Sequence, residues 1–552
     1  MGKKITLMLN GVEVKSKSGI SISKLLETNS AEKLEKPIGA IVNHRLMGLY
    51  TILRSDCIID TVGFSSKEGA SIYRRTLSLI MCEAFAQLYP KIKLEIGQSL
   101  GNGYYYRDRL GDNISKKMLN EIDAKMREIV ASDRPLRPKL VSTEAAIEHF
   151  KEHGFYEKVA LIKQRQVPEI NWVVMGEFHD LSYGPVASNT GFCDTFSLFK
   201  KAKGFVLSFP DAKGKVTEKL KPQLKLFSTY QETRAWNKRV SVWSISQLNQ
   251  ACIDGSISEI IKVSEGLQEK KIARMADEIY ENKDTVRLVA IAGPSSSGKT
   301  TFTKRLGIQL RVNGIRPVML SMDNYYVDRV KTPLNPDGSY DFECLEALDF
   351  PLFNKHLEMI LDGKRVDTPI FDFVKGERRS DKTIPMKLEK DQVLMIEGIH
   401  GLNPKMTASI PNDKKFKIYV SALTQLTIDE HNRIFTSDMR LMRRIVRDRL
   451  FRGYLATQTI KQWPSVRAGE NKHIFPFQEE ADVMFDTALV YEPAVLKPYL
   501  RRYLMEVRQD EKAYTEAYRL FQFLGLFIPV FPHEVPGNSL LREFIGESAF
   551  NY

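Results

Sequence analysis

The sequence predicts a multidomain protein in which a small β-grasp domain and an α+β domain precede an α/β domain with a parallel sheet. The chain has 552 residues, which exceeds the roughly 100–200 residues of a single domain. Its first part combines alternating strand patterns with amphipathic helices. From residue 287 onwards, buried strands and helices alternate, and this rhythm is typical of βαβ units.

Residues 1–65 are predicted to be the β-grasp domain. The segment ITLMLNGVEV has the pattern of a hairpin with Asn10-Gly11 at its turn. The segment SISKLLE begins with serines that can cap a helix. One helix packed on a small sheet is the simplest arrangement that buries the apolar faces of these elements.

Residues 66–235 are predicted to be the α+β domain. The segment SIYRRTLSLIMCEAFAQLYP has helical apolar spacing that ends at Pro90, and later segments such as INWVVMGEF have strand patterns. Residues 236–284 are rich in Lys, Glu, Ile and Ala at helical spacing, which predicts a helical linker. The α/β domain follows at 285–500, and 501–552 are predicted to be a C-terminal helical extension.

Composition indicates an ordinary globular protein, with 43% hydrophobic and 27% charged residues. No segment approaches the roughly 20 apolar residues of a membrane span. Five scattered cysteines without a CxxC pair favour free thiols, so we expect a cytoplasmic protein. The net charge of +13 suits nucleotides or RNA as partners, although a mildly basic solvated surface is the more frequent cause. The sequence leaves the oligomeric state open.

A candidate phosphate loop, GPSSSGKT, directly follows the buried strand VAIAG. Two glycines let the backbone wrap around phosphate oxygens, Lys299 adds a positive charge, and the Thr300 hydroxyl is a ligand for Mg²⁺. The next helix begins at this loop, so its positive end faces the phosphates. We expect ATP phosphates to be bound by Gly293, Ser295, Ser296, Ser297, Gly298, Lys299, Thr300 and Thr301.

Two carboxylates stand at the ends of further buried strands. Asp323 ends RPVMLSMD, and Glu397 follows the apolar residues of QVLMIEG. Ligands of parallel sheets bind at the carboxyl ends of the strands, so both side chains should lie beside the phosphate loop. Asp323 can accept the proton of an attacking hydroxyl and face Mg²⁺, and Glu397 can hold the metal. The alternatives are a turn cap for Asp323 and a sheet-edge charge for Glu397.

The segment DMRLMRRIVRDRLFRG is strongly basic. Arg440, Arg444 and Arg447 lie about one helical turn apart. We interpret the segment as a lid whose arginines neutralise the transferring phosphoryl group. The alternative is a solvated helix, since Arg444 and Asp448 can form an ion pair on its surface.

In this order, the phosphate loop, SMDNYY, TPIFDF, MIEG and RRIVRDRLFRG resemble uridine kinase and its relatives, including phosphoribulokinase. The resemblance covers about residues 285–490 and implies that Asp323 is the general base for a nucleoside 5′-hydroxyl. The catalytic residues that it implies are Asp323, Lys299, Arg447 and Arg452. The metal ligands that it implies are Thr300, Glu397 and Asp323.

The same resemblance implies an acceptor site formed by Tyr326, Glu343, Phe371 and Arg378. Three positions depart from the family pattern. Glu343 stands where an aspartate contacts ribose hydroxyls, Phe371 where a tyrosine stacks on the base, and Gly376 where uridine kinases carry a histidine that faces the base. A site reads a base through its hydrogen-bonding groups, so Gly376 argues against strict uracil recognition and leaves phosphoryl transfer untouched.

In the N-terminal half, EAFAQLYP, IGQSLGNGYYYRD and DLSYGPVASNTG resemble the beginning of threonyl-tRNA synthetase. The resemblance implies a TGS domain at residues 1–65 and an editing-type domain after it. Where the editing site has a histidine pair, a cysteine and a further histidine, this chain has Arg75, Leu79, Ser182 and Val186. These side chains cannot replace the originals as metal ligands or bases. We therefore expect a scaffold without editing chemistry, which can still contact RNA.

The complete arrangement, including the tail PHEVPGNSLLREFIGES, resembles fused bacterial nucleoside kinases. We expect an ATP- and Mg²⁺-dependent kinase that phosphorylates the 5′-hydroxyl of a uridine- or cytidine-like nucleoside. A second hypothesis keeps the kinase and changes the acceptor to another small sugar or a pentose phosphate. A third is an RNA-binding regulatory NTPase, against which Asp323 argues because a pure switch needs no general base.

Overall fold

The structure, a computed structural model, describes residues 3–29, 35–335, 338–372, 375–424 and 426–551. Its N-terminal unit contains β1 (Lys4–Leu9), β2 (Val12–Lys17), β3 (Ile20–Ser21), α1 (Ile22–Thr28), β4 (Pro37–Val42), β5 (Arg45–Gly48), β6 (Ile52–Leu53) and β7 (Cys57–Gly63). Strands β2-β1-β7-β4-β5 form a mixed sheet in which β1 and β7 run parallel. The predicted hairpin and the predicted helix with its serine cap are both confirmed.

The second unit contains two antiparallel sheets and four helices. Its elements are α2 (Lys67–Leu88), β8 (Leu94–Leu100), β9 (Gly103–Asp108), α3 (Lys116–Ala131), β10 (Arg137–Ser142), α4 (Thr143–Glu152), α5 (Tyr156–Arg165), β11 (Glu169–Met175), β12 (Phe178–Asp180), β13 (Ser197–Lys201) and β14 (Gly204–Ser208). The sheets have the orders β13-β14-β9-β8 and β10-β11-β12. Helix α2 shares a buried core with the first of these sheets, where the rings of Phe85 and Phe205 stack at 5.4 Å.

Three helices connect this unit to the C-terminal half: α6 (Leu224–Arg239), α7 (Ile245–Asp254) and α8 (Ile257–Glu281). The predicted domain boundary at residue 235 lies inside α6. Helix α8 packs along the first helix of the C-terminal half, to which Arg305 ties it through Glu269 at 2.6 Å. The connecting region is therefore helical, as the sequence predicted.

The C-terminal half is built on a five-stranded sheet. Its elements are β15 (Leu288–Ala292), α9 (Lys299–Val312), β16 (Arg316–Ser321), α10 (Phe350–Leu361), β17 (Val366–Thr368), β18 (Phe371–Asp372), β19 (Glu377–Arg378), β20 (Ile384–Met386), β21 (Gln392–Glu397), β22 (Lys415–Ser421), α11 (Thr436–Phe451), α12 (Ala456–His473), β23 (Val483–Asp486) and α13 (Glu492–Met505). The strand order is β16-β21-β15-β22-β23, and all four pairings are parallel. The predicted parallel sheet is confirmed.

The C-terminal extension contains α14 (Tyr514–Leu524) and α15 (Arg542–Ile545). The predicted boundary at residue 500 lies inside α13, which runs on to Met505. Helix α14 touches both halves of the molecule: the Arg45 guanidinium lies 4.5 Å from the Tyr518 ring, and Arg519 pairs with Asp438 of α11 at 2.7 Å. The extension therefore joins the N-terminal sheet to the helix that carries the arginine cluster.

All five cysteines are free thiols. Within the described residues, no helix combines the length and the apolar character needed to cross a membrane.

Candidate active site

The phosphate loop lies between β15 and α9, at the carboxyl edge of the parallel sheet. A side chain at Gly293 would place its Cβ 1.9 Å from the Val420 carbonyl oxygen, so only glycine fits where the loop leaves the strand. Ser296 and Gly298 have positive φ angles of 57° and 86°. These angles turn the backbone back on itself before α9 begins at Lys299, as a phosphate-binding loop requires.

Side chains from α11 and α12 hold the loop from behind. Arg440 donates to the Ser295 carbonyl at 3.1 Å, and Arg444 donates to the Ser295 hydroxyl at 2.9 Å. Glu470 of α12 accepts from the Ser295 N–H at 3.1 Å. Thr487 donates to the Ser297 carbonyl at 2.6 Å. These contacts fix the loop, and they occupy the N–H and the hydroxyl of Ser295, a residue that is predicted to bind ATP.

The inner surface of the loop carries polar groups that the fold does not satisfy. The hydroxyls of Ser296 and Ser297 are buried and have no hydrogen-bond partner among the described residues. The Lys299 ammonium donates to the Pro294 carbonyl at 3.2 Å and so stays at the loop. Buried polar groups normally have partners, so this arrangement suits an anionic ligand.

The predicted metal ligands Thr300 and Glu397 are neighbours. The Thr300 hydroxyl donates to Glu397 Oε1 at 3.3 Å, and Glu397 Oε2 is buried without a partner among the described residues. Mg²⁺ prefers oxygen ligands, and the hydroxyl and the unpartnered carboxylate oxygen at the end of the phosphate loop are ligands of this kind. The donor set therefore fits a magnesium ion.

Asp323 follows β16 in a short 3₁₀ turn (Met322–Tyr325), next to the strand that ends in Glu397. Desolvation raises the pKa of both carboxyls, and the charge of Asp323 raises the pKa of Glu397 further. Lys299, Arg452 and Arg447 act in the opposite direction on Asp323, in this order. The four predicted catalytic side chains are thus close enough to interact electrostatically.

The arginines of α11 fall into two groups. Arg440 and Arg443 are at most 1% exposed and form buried ion pairs with Glu470 and Glu492. The hydrophobic residues of the helix belong to a large buried core, so the alternative of a solvated surface helix is wrong. A lid that swings as a whole is equally inconsistent with a core helix.

Arg447 and Arg452 form the second group, near the end of α11. Both lie near Asp448, with N–O distances of 3.8 and 3.4 Å, which are long for ion pairs. Burial lowers the pKa of Arg447 to about 10, and the neighbouring charge of Arg452 adds to this shift. Two cations that stay close together without a short carboxylate partner suit the binding of an added anion.

On the acceptor side, the rings of Tyr326 and Phe371 lie 5.8 Å apart, and Glu343 is enclosed nearby. Desolvation raises the pKa of Glu343 to about 7, and Glu470 adds to the shift. Glu343 Oε2 is buried without a partner among the described residues. Gly469 permits this placement, because a Cβ there would lie 2.2 Å from the Glu343 side chain.

The predicted acceptor residue Arg378 makes contacts within the protein. It donates to the carbonyls of Tyr325 and Tyr326 at 2.9 and 3.0 Å and pairs with Asp349 at 3.0 Å. The guanidinium therefore holds the segment that follows Asp323, and a direct contact with an acceptor stays a prediction.

The structure explains why position 376 is occupied by glycine. Its φ is +76°, and a Cβ there would lie 2.7 Å from the guanidinium of Arg329. A side chain at position 376 would therefore meet the guanidinium of Arg329, a contact that the sequence could not reveal.

Sequence reasoning missed two carboxylates of this site. Glu470 of α12 accepts from Ser295 and pairs with Arg440. Glu543 of α15 accepts from both the N–H and the hydroxyl of Thr301. The tail motif LREFIGES was the only signal for Glu543, and nothing in its spacing pointed to the phosphate loop.

In the N-terminal half, the four positions that the resemblance compares with editing-site residues hold hydrogen-bonded or apolar side chains. Arg75 donates to the Pro185 carbonyl at 2.9 Å, and Ser182 donates to the Gly184 carbonyl at 2.8 Å. Val186 is fully buried. His179 stacks on Trp172 at 4.7 Å, which gives it a packing role.

The phosphate loop, the adjacent carboxylates and the parallel strand order give the C-terminal half a sheet edge that suits the phosphates of a nucleotide. Residues 288–491 match the model of the Phosphoribulokinase / Uridine kinase family. The N-terminal part is similar to threonine–tRNA ligases. Both resemblances inferred from the sequence motifs are thereby confirmed.

The threonine–tRNA ligase of Clostridium kluyveri is 31% identical over 185 residues, which are 33% of this chain and 29% of the ligase. That of Natranaerobius thermophilus is 34% identical over 189 residues, which are 34% of this chain and 30% of the ligase. The chain thus spans about three-tenths of the length of these relatives.

Two solved structures are similar to part of this chain. One is described as a possible uridine kinase from Bacillus stearothermophilus, with 20% identity and a TM-score of 0.28, and it covers 39% of this chain and 98% of its own. The other is the phosphoribulokinase from Rhodobacter spheroides, with 18% identity and a TM-score of 0.26 over 37% of this chain and 70% of its own.

Proposed function

We propose that this protein transfers the γ-phosphoryl group of ATP to an alcohol acceptor, with the 5′-hydroxyl of a uridine- or cytidine-like nucleoside as the expected acceptor. The observation that carries this proposal is the position of Asp323, which directly follows β16 beside the end of β21, where Glu397 accepts a hydrogen bond from Thr300 of the phosphate loop. A site that only binds a nucleotide needs the loop and its lysine, but it does not need a carboxylate base among the cations.

In this mechanism, Asp323 accepts the proton of the acceptor hydroxyl as its oxygen attacks the γ-phosphorus. Lys299, Arg447 and Arg452 neutralise the charge on the phosphoryl oxygens, so most of the rate enhancement comes from positioning and electrostatics. Thr300 and Glu397 would hold Mg²⁺, which supplies further charge neutralisation at the phosphates when bound.

The acceptor would lie between the Tyr326–Phe371 pair and Glu343. The aromatic pair supports a flat base, and the unpartnered Glu343 Oε2 supports a hydrogen bond from a sugar hydroxyl. Arg378 keeps this wall in place through the backbone of Tyr325 and Tyr326.

One observation favours a second acceptor class. A Cβ at Gly376, the position at which uridine kinases carry the base-facing histidine, would lie 2.7 Å from the guanidinium of Arg329. A cation there favours an acceptor that carries a phosphate, such as a pentose phosphate.

We further infer that residues 1–65 are a TGS-like β-grasp domain, which the strand order β2-β1-β7-β4-β5 and the single helix α1 support. The similarity to threonine–tRNA ligases supports an RNA contact through this half, and the satisfied groups around Arg75 and Ser182 support a scaffold without editing chemistry.

The test is ADP release from Mg-ATP with a panel of nucleosides, free pentoses and pentose 5-phosphates. We expect one class to stimulate release strongly in the wild type and not in Lys299→Ala, whose loop lacks its point charge. Stimulation by pentose phosphates alone would select the second acceptor class. Release that only RNA stimulates would contradict the kinase proposal in favour of a regulatory NTPase.

A further inference from the structure

A carboxylate of the C-terminal tail lies on the phosphate loop. Glu543 Oε2 accepts from the Thr301 N–H at 3.2 Å and from the Thr301 hydroxyl at 2.7 Å. The Glu543 side chain is only 8% exposed, and its second oxygen lies 3.8 Å from Arg447. The tail thus contacts both a predicted nucleotide-binding residue and a predicted catalytic arginine.

The backbone around Glu543 is firmly anchored. Leu540 is fully buried in the core beside Phe302 of α9. Phe544 is also fully buried, with the Arg443 guanidinium 5.1 Å from its ring. Arg542 donates to the carbonyls of Pro532 and Val535. The backbone of the tail is therefore a fixed part of the site, and the contact between Glu543 and Thr301 can break through movement of the Glu543 side chain alone.

Thr301 occupies a position where an anion is expected. Its N–H belongs to the first turn of α9, whose N–H groups have no partner within the helix and point towards a bound anion. In the described structure, the carboxylate of Glu543 satisfies this N–H. The fold thus supplies its own anion at a place that the phosphate chain of a nucleotide would also use.

We propose that Glu543 sets the affinity for the phosphoryl donor by competing with a donor phosphate for the Thr301 N–H and hydroxyl. The inference rests on the proposed nucleotide binding at the phosphate loop. On donor binding, the Glu543 side chain leaves Thr301 and turns towards Arg447, which already lies within 3.8 Å. Donor binding and the position of a catalytic arginine are thereby coupled.

Charge is the main cause of the competition. The Glu543 carboxylate and a donor phosphate cannot both occupy the position beside the Thr301 N–H, because the repulsion between two negative groups a few ångströms apart in a partly buried site is strong. Replacing the carboxylate by the isosteric amide in Glu543→Gln removes the charge and keeps an acceptor oxygen for Thr301. We expect this change to tighten the binding of Mg-ATP at least about tenfold.

The experiment compares dissociation constants for Mg-ATP and for tripolyphosphate, measured by calorimetry on the full chain. Glu543→Gln and Glu543→Asp are the test variants, and in the latter the shorter side chain draws the carboxylate back from Thr301. Glu547→Gln is the matched control, because Glu547 lies in the same tail, is 82% exposed and pairs with Arg542 away from the loop. We expect both test variants to bind both ligands more tightly and the control to equal the wild type.

Two failures can be told apart. If the wild type binds ATP through Lys299, and both Glu543 variants bind equally or more weakly, then Glu543 is a structural cap and the inference is wrong, while the proposed function stands. If Lys299→Ala does not weaken binding, the nucleotide site itself is misplaced and both proposals fail. A gain for ATP without a gain for tripolyphosphate would also overturn competition at a phosphate.

Discussion

Two regions of this chain resemble active sites of known enzymes, and they differ in whether their polar groups have hydrogen-bond partners within the protein. At the phosphate loop, the hydroxyls of Ser296 and Ser297 and one oxygen of Glu397 are buried without partners among the described residues. At two positions that correspond to editing-site residues in the resemblance to threonyl-tRNA synthetase, Arg75 and Ser182 donate to backbone carbonyls. Unsatisfied buried groups are costly, so a chain retains them where a ligand satisfies them. We therefore expect chemistry at the first region and a supporting role for the second.

Buried charges follow the same division. In the N-terminal half, Lys158 forms a buried ion pair with Asp180, and its ammonium lies 2.9 Å from Nδ1 of His431 in the C-terminal half. In the candidate active site, desolvation raises the pKa of both Asp323 and Glu397, and Lys299 acts in the opposite direction on each of them. Buried carboxyls with raised pKa values are typical of sites that bind metal and transfer protons.

The largest effect on stability is expected from replacing Arg443. This test distinguishes the arginines of α11 that stabilise the fold from those that are proposed to act on phosphates. Arg443 bonds to Glu492 Oε2 at 2.7 Å and to the Thr487 carbonyl at 2.9 Å. Arg443→Met leaves Glu492 buried and unpaired, so the free energy of unfolding should fall by about 3–5 kcal/mol in urea denaturation.

The double variant Arg443→Met with Glu492→Leu is the control, since removing both charges should restore much of this loss. Unchanged stability in the single variant would mean that Arg443 is free to act on phosphates, and the division of α11 into two groups would be wrong.

A smaller, pH-dependent effect is expected in the N-terminal half. Burial alone would raise the pKa of Glu95, but Arg234, Arg107 and Lys238 lower it to about 2. A depressed pKa stabilises the fold above the ordinary value of about 4.3, and this contribution is lost as the pH falls towards 2. The free energy of unfolding of the wild type should exceed that of Glu95→Gln by about 3 kcal/mol at pH 7, and less at pH 3.

Urea denaturation at several pH values measures this difference. Asp391→Asn serves as the control, because Asp391 is 59% exposed and its pair with Arg316 should contribute little. If the difference in the free energy of unfolding between wild type and Glu95→Gln does not change with pH, then matched charge is not what stabilises this half.

Local motifs explain what the sequence could predict. The phosphate loop, Asp323 and Glu397 each follow a buried strand directly, and parallel strands bring their carboxyl ends to one edge. Sequence reasoning did not find Glu470 and Glu543, because they lie 175 and 242 residues along the chain from the residues that they bind, Ser295 and Thr301. No local pattern encodes such a pairing.

The arginine helix shows a second limit of sequence reasoning. Its stripe of arginines suggests a solvated or mobile helix, yet Arg440 and Arg443 are buried because Glu470 and Glu492 from two other helices neutralise them. Helices α6 and α13 continue through residues 235 and 500, where the sequence predicts domain boundaries.

The central claim is that Asp323 is a base beside a phosphate loop, and Asp323→Asn tests it most directly. Acceptor-dependent ADP release and the dissociation constant for Mg-ATP are measured for this variant, with Asp391→Asn as an exposed control. The account predicts turnover at least about 10²-fold lower, because general-base contributions have this size, with ATP binding retained. Turnover equal to that of the wild type would contradict the assignment of this site.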